Sequence, residues 1–223
     1  MRKGLTEVVF ILDRSGSMSG LEADTIGGFN SMIGKQRKEE GEALISTVLF
    51  DDKTEVLYDR VPVSRIEPMN DSQYFVRGCT ALLDAIGSSI HHIANVHKYA
   101  REEDRPEKTL FIITTDGMEN ASRNYDYKKV KKMVEKEKEK YGWEFLFLGA
   151  NIDAIEVAGR FGISADRAVN YECDCEGTAL NFRALSGAVS AMRRAKSSEE
   201  AGMALQECMA PINEDYRRRH KAR

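Results

Sequence analysis

The hydrophobic pattern begins with an unbroken apolar run, Val8-Val9-Phe10-Ile11-Leu12, that stops at Asp13. A short run without polar alternation predicts a strand from Glu7 to Leu12 that is buried on both faces of a sheet. Leu21, Ile26, Phe29 and Ile33 then recur near a helical period, with Asp24 and the stretch from Lys35 to Glu40 on the polar side, so a helix follows. Residues 43–50 (ALISTVLF) and 54–58 (TEVLY) are strand-like and are separated by Asp51-Asp52-Lys53. A three-residue polar break predicts a tight hairpin, and with it one antiparallel edge strand. Pro62, Pro68, Asn70 and Gly78 mark residues 59–78 as a long connection with a short extended piece at 61–66.

From Ala81 the positions Leu82, Leu83, Ile86, Ile90, Ile93, Ala94 and His97 predict a second helix. A buried strand at 109–115 ends at Asp116-Gly117. It is followed by a Lys/Glu-rich helix at 125–140, a strand at 143–148, a helix at 151–160 and a short strand at 168–171. A helix across Leu180, Leu185, Val189 and Met192 completes the alternation, and Ser197 with Glu200 forms a capping box that opens a last helix, closed by Pro211. Alternating strands and helices predict an α/β fold: a doubly wound, mostly parallel sheet with helices on both faces. The expected organisation is one domain over residues 1–195 with a C-terminal helical extension at 196–223 that ends in a basic tail.

Composition narrows the setting. The chain has 223 residues, 42% hydrophobic and 31% charged, enough for one sizeable core. Its 33 basic and 36 acidic residues leave a formal charge of −3, so there is no large positive field for nucleic acid or anionic lipid. No run approaches the roughly 20 apolar residues of a membrane span, and Val8–Leu12 is too short for a signal-peptide core. Cys79, Cys173, Cys175 and Cys208 show no regular framework, which suits a reducing cytosol. A cytoplasmic protein without membrane contact is expected.

Candidate chemistry lies where strands end, because ligands of doubly wound sheets bind beyond the carboxyl ends of the strands. The first strand ends in Asp13-x-Ser15-x-Ser17, the strand at 109–115 ends in Thr115-Asp116-Gly117, and Gly78-x-Thr80-x-Leu82 precedes the second helix. Five residues that turn can bring Asp13, Ser15 and Ser17 to one point, with Gly16 supplying backbone freedom. Two carboxylates and three hydroxyls are hard oxygen donors and suit Mg²⁺ or Mn²⁺ better than Zn²⁺ or Ca²⁺. An ion held partly through water can take a further anionic ligand, which describes a docking point for an acidic residue of a protein partner.

Other readings of the same residues are open. Asp and Ser could cap the next helix. A nucleophilic serine lacks the G-x-S-x-G elbow, and no phosphate-binding glycine loop is present. A Mg²⁺-dependent hydrolase or phosphatase would use Asp13 as nucleophile or Asp116 as metal ligand, with Asp51, Asp52 or Glu119 as base. His91, His92 and His97 read as solvated or core-edge histidines, Cys173-Asp174-Cys175 as two reduced thiols, and Cys79 as a small packing residue. Lys128–Lys140 reads as a solvated helix face, and Tyr216–Arg223 as a solvated tail.

Taken together, Asp13-x-Ser15-x-Ser17, Gly78-x-Thr80-x-Leu82 and Thr115-Asp116-Gly117 resemble a von Willebrand factor A-type domain of the intracellular bacterial kind with a complete metal-ion-dependent adhesion site. The resemblance covers about residues 6–194 and implies a Rossmann-like sheet in the order 3-2-1-4-5-6. It implies that Ser15, Ser17 and Thr80 bind the metal directly, that Asp13 and Asp116 hold it through water or hydrogen bonds, and that a partner's carboxylate completes the shell. Intracellular members of that family often work beside ring-forming ATPases or in stress-response clusters. An assembly or chaperone-type role and the absence of catalysis are therefore expected.

Overall fold

The computed structural model describes residues 1–221. Strands β1 (Arg2–Asp13), β2 (Glu42–Phe50), β3 (Thr54–Pro62), β4 (Pro106–Thr115), β5 (Glu144–Gly149) and β6 (Ala168–Asn170) alternate with helices α1 (Glu22–Gln36), α2 (Leu82–Tyr99), α3 (Tyr127–Tyr141), α4 (Ala154–Arg160), α5 (Cys175–Arg194) and α6 (Ser198–Lys221). They form one six-stranded sheet in the order β3-β2-β1-β4-β5-β6. All neighbours are parallel except β2 and β3, whose hairpin makes β3 an antiparallel edge strand. The expected fold class and strand order are those observed.

The two faces of β1 explain its unbroken apolar run. Val8, Phe10 and Leu12 enter a core completed by Phe29, Met32 and Ile33 of α1 and by Leu185 and Val189 of α5. Val9 and Ile11 enter the opposite core with Ile86 and Ile90 of α2, Val130 and Val134 of α3 and Phe161 just beyond α4. Each face of the strand thus meets its own layer of helices, and both must be apolar.

Glu7 is the polar exception. It is fully buried and accepts from Arg60 of β3 at 2.5 Å and from His97 of α2. His97 is therefore a core-edge group with a structural partner, while the exposed His92 pairs with Asp59.

Two expectations fail at the C-terminal end. Pro211 lies inside α6 rather than closing it. An internal proline costs about 3 kcal/mol. Here Leu205 and Met209 before it and Ile212 after it are all buried in the core that Phe10 and Leu12 enter, and this packing carries the helix through. Nor do residues 216–221 form a separate tail, although Arg217, Arg218, His220 and Lys221 are exposed as expected. They are the last turns of α6, where Arg219 pairs with Asp174 at 2.6 Å, Glu176 at 2.9 Å and Asp215 at 2.8 Å. Ala222 and Arg223, also part of the expected tail, lie outside the described residues.

In this sheet β2 and β4 lie on opposite sides of β1. The chain therefore changes direction across the sheet between β1 and β4, and the crevice that forms there opens at their carboxyl ends.

Candidate metal centre

β1 delivers Asp13 to that crevice and the chain turns at once. Ser15 N donates to Asp13 Oδ1 at 2.7 Å, and a single 3₁₀ turn at Gly16–Met18 follows, closed by Met18 N on Ser15 O at 3.0 Å. The turn brings Ser15 Oγ and Ser17 Oγ to 3.1 Å. From β4, Asp116 Oδ1 accepts a short hydrogen bond from Ser17 Oγ, and Thr115 Oγ1 donates to Asp13 Oδ2 at 2.6 Å. Two loops far apart in sequence are thus joined through their functional side chains.

The third loop closes against both. Gly78 has φ +68°, and its carbonyl accepts from Gly16 N at 3.2 Å. Thr80 is pinned by Asn120: its N–H donates to Asn120 Oδ1 at 2.9 Å, and its carbonyl accepts from Asn120 N at 3.0 Å. A Cβ placed on Gly117 would lie 3.2 Å from Ser17 Oγ and 3.5 Å from Thr80 Oγ1, so these hydroxyls face one small space beside Asp116. All five residues expected from the sequence meet there.

Burial pushes the Asp13 carboxyl up to about 6, against hydrogen bonds from Ser15 and Thr115 and with the neighbouring Asp116 adding to the rise. Asp116 is also raised by burial. Two buried acids behind three neutral hydroxyls are a charge arrangement that a divalent cation would relieve, and the donors fit a hard ion. Both oxygens of Asp13 are already engaged, which suits a role behind the ion rather than against it. Arg14, the nearest cation in the sequence, turns away to Asp51 at 2.8 Å and Glu55 at 2.7 Å. Among the described residues no group of three or more His, Cys, Asp or Glu side chains could hold a metal ion, so an ion here would have to draw on the hydroxyls as well as the two carboxylates.

Two of the three bases considered for a hydrolase have other work. Asp51 Oδ2 accepts from both Arg14 and Arg77 at 2.8 Å, which holds its carboxyl below the ordinary range against the opposing effect of burial. Glu119 accepts from Leu83 N, Ala121 N, Ser122 N and Ser122 Oγ, tying the loop after β4 to the start of α2. Asp52 is exposed beside Gly78.

Several contributors were not expected from the sequence. Tyr74 donates to Asp13 O at 2.5 Å from the long connection. Arg77 N donates to Arg14 O at 2.9 Å, and Asn120 clamps Thr80. Cys79 is exposed rather than packed, and Cys173 reaches Asp116.

No protein-family model matches the chain, and no curated protein does. Solved structures do match. Proximal thread matrix protein 1 from the mussel byssus aligns with a TM-score of 0.54 at 14% identity, over 84% of this chain and 46% of its own. A von Willebrand factor type A protein from Catenulispora acidiphila gives 0.54 at 14% identity, over 83% and 42%. The manganese-loaded TRAP protein of Plasmodium vivax gives 0.54 at 16% identity, over 82% and 74%. A further structure of the mussel protein has a zinc-occupied MIDAS motif. The chain spans less than half the length of the mussel and Catenulispora chains it matches. At these identities the likeness establishes the fold, which is that of von Willebrand factor A-type domains.

Proposed function

We propose that the chain is a divalent-cation-dependent protein-binding module. Ser15, Ser17 and Thr80 would hold Mg²⁺ or Mn²⁺, with Asp13 and Asp116 behind them and a partner's carboxylate as the remaining ligand. The observation that carries this reading is the convergence of three hydroxyls from two separate loops in front of two buried carboxylates. When bound, the ion supplies a Lewis-acidic point that an anion can reach, since neutral hydroxyls do not cancel its charge. Solved structures of the same fold, one manganese-loaded and one with a zinc-occupied MIDAS motif, support a divalent ion as the ligand.

The context we favour is cytoplasmic, in assembly or a chaperone-type or stress-response role. Among the described residues no helix is long and apolar enough to cross a membrane. Of the bases the hydrolase reading could use, Asp51 and Glu119 are committed to holding loops together, which leaves it the exposed Asp52.

Calorimetric titration with Mn²⁺ and Mg²⁺ tests the centre. The double substitution Ser15→Ala with Ser17→Ala should abolish binding and leave the circular dichroism spectrum unchanged; undiminished affinity in that variant overturns the assignment. Capture of a partner from native lysate with and without chelator then reads the binding function, and a partner set unaffected by chelator argues against metal-dependent docking.

A further inference from the structure

Cys173 stands on the turn between β6 and α5, outside the five-residue set, with its Sγ 3.5 Å from Asp116 Oδ2. Asp116 is 1% exposed, so few donors reach it. Ser17 Oγ takes Oδ1, Asn151 Nδ2 donates to the main-chain oxygen at 3.3 Å, and the thiol takes Oδ2.

We propose that Cys173 is a positioning residue of the metal centre: its S–H group holds Oδ2, so that Asp116 presents Oδ1 to the space shared by Ser17 and Thr80. The proposal rests on the metal-binding reading above. A carboxylate with one oxygen held can rotate less, and outer partners of metal ligands act by fixing orientation in this way. A thiol S–H is a weak donor and a carboxylate oxygen accepts, so the 3.5 Å contact sets Cys173 as donor and Oδ2 as acceptor.

The turn that carries the thiol is firmly built. Tyr171 N donates to Gly149 O at 3.1 Å, which fixes the chain leaving β6 to the end of β5. Asp174 caps α5 by accepting from Gly177 N at 2.8 Å, and its other oxygen pairs with Arg219 of α6 at 2.6 Å. A Cβ on residue 177 would lie 2.0 Å from the Glu172 carbonyl oxygen, so only glycine lets the turn close this tightly. Cys173 is thus held against Asp116 by an element that the three motif loops do not contain. Cys175, two residues on, is exposed and makes no such contact.

The test compares Cys173→Ala, Cys173→Ser and Cys175→Ser by Mn²⁺ calorimetry and by melting temperature in chelator. Loss of an outer partner costs about 10–100-fold in metal affinity; a thiol is a weak donor, so Cys173→Ala should weaken Mn²⁺ binding by about tenfold and Cys173→Ser by less than about threefold. Cys175→Ser should bind as the unsubstituted chain does, and all three should melt alike in chelator. Unchanged affinity in Cys173→Ala overturns the proposal, as does a Cys173→Ser variant that falls as far as Cys173→Ala. If the unsubstituted chain takes up no Mn²⁺, the functional reading falls and this one with it. If it binds and Cys173→Ala is silent, only the role of Cys173 is lost.

Discussion

Asp13→Asn should make the metal-free protein more stable at neutral pH while removing its response to metal. Asp13 is 1% exposed, and burial moves its carboxyl from 3.8 to about 6. At about 1.36 kcal/mol per pKa unit, the ionised form is disfavoured in the folded chain by roughly 3 kcal/mol. Asparagine keeps the acceptor for Ser15 N. Its amide nitrogen would face Thr115 Oγ1, which can turn to accept and send its own hydrogen to Gly117 O, now 3.3 Å away. Removing the charge should therefore raise stability in chelator at pH 7 by up to roughly 3 kcal/mol, or about 6–12 °C in Tm for a chain of this size. The sign with pH follows from the folded value lying above the unfolded one. Protonation stabilises the fold fully below 3.8, and that contribution is lost as pH rises through about 6. In chelator the unsubstituted chain should gain roughly 1.3 kcal/mol between pH 7 and pH 5 from this group, and Asp13→Asn should gain none from it. Thermal melts at both pH values, with chelator and with excess Mn²⁺, read all of this. A variant less stable than the unsubstituted chain at pH 7 in chelator, or one with the same pH slope, refutes the electrostatic account of the centre.

Two further substitutions probe the frame around the centre. Arg14 and Asp51 are both fully buried and joined at 2.8 Å, and breaking a buried pair costs about 3–5 kcal/mol. Because Asp51 keeps Arg77, Arg14→Met should fall at the lower end, about 3 kcal/mol in urea unfolding; a loss below about 1 kcal/mol would show that Arg77 alone suffices. Gly87 of α2 faces the Tyr125 ring, and a Cβ there would lie 2.2 Å from Tyr125 Cδ1. Gly87→Ala should cost about 1–3 kcal/mol by displacing the ring, despite alanine's better helix propensity, and a stabilised variant would contradict this packing.

Much of the fold was legible because burial on both faces leaves a mark that local context cannot hide. The run Val8–Leu12 has no polar residue because two helical layers meet the two faces of β1, and the hairpin at Asp51-Asp52-Lys53 shows itself by polarity alone. The five centre residues were legible for a related reason: each stands next to a strand end or a helix start that the pattern locates. What stayed hidden depends on contacts between distant segments. Pro211 reads as a stop unless one knows that Leu205, Met209 and Ile212 share a core. Asp51 and Glu119 read as free acids until their partners, from two to thirty-seven positions away, are in place. Cys173-Asp174-Cys175 looks like a symmetrical pair, yet one thiol touches Asp116 and the other is exposed.

The hidden residues share a purpose, which bears on how the centre works. Asp51, through Arg14 and Arg77, joins the loop after β1 to the loop before α2; Tyr74 adds a bond to Asp13 O. Glu119 and Asn120 join that same loop before α2 to the one after β4. Each motif loop is therefore fixed to the next by groups that bear no part of the proposed ligand set. Three hydroxyl and carboxylate loops left to themselves would separate, because Asp13 and Asp116 repel and their burial is unfavourable while charged. The surrounding bonds hold the donors in place against that repulsion. An ion entering the proposed centre would then meet oxygens already gathered, so its binding free energy would go into relieving the two acids rather than into ordering the loops.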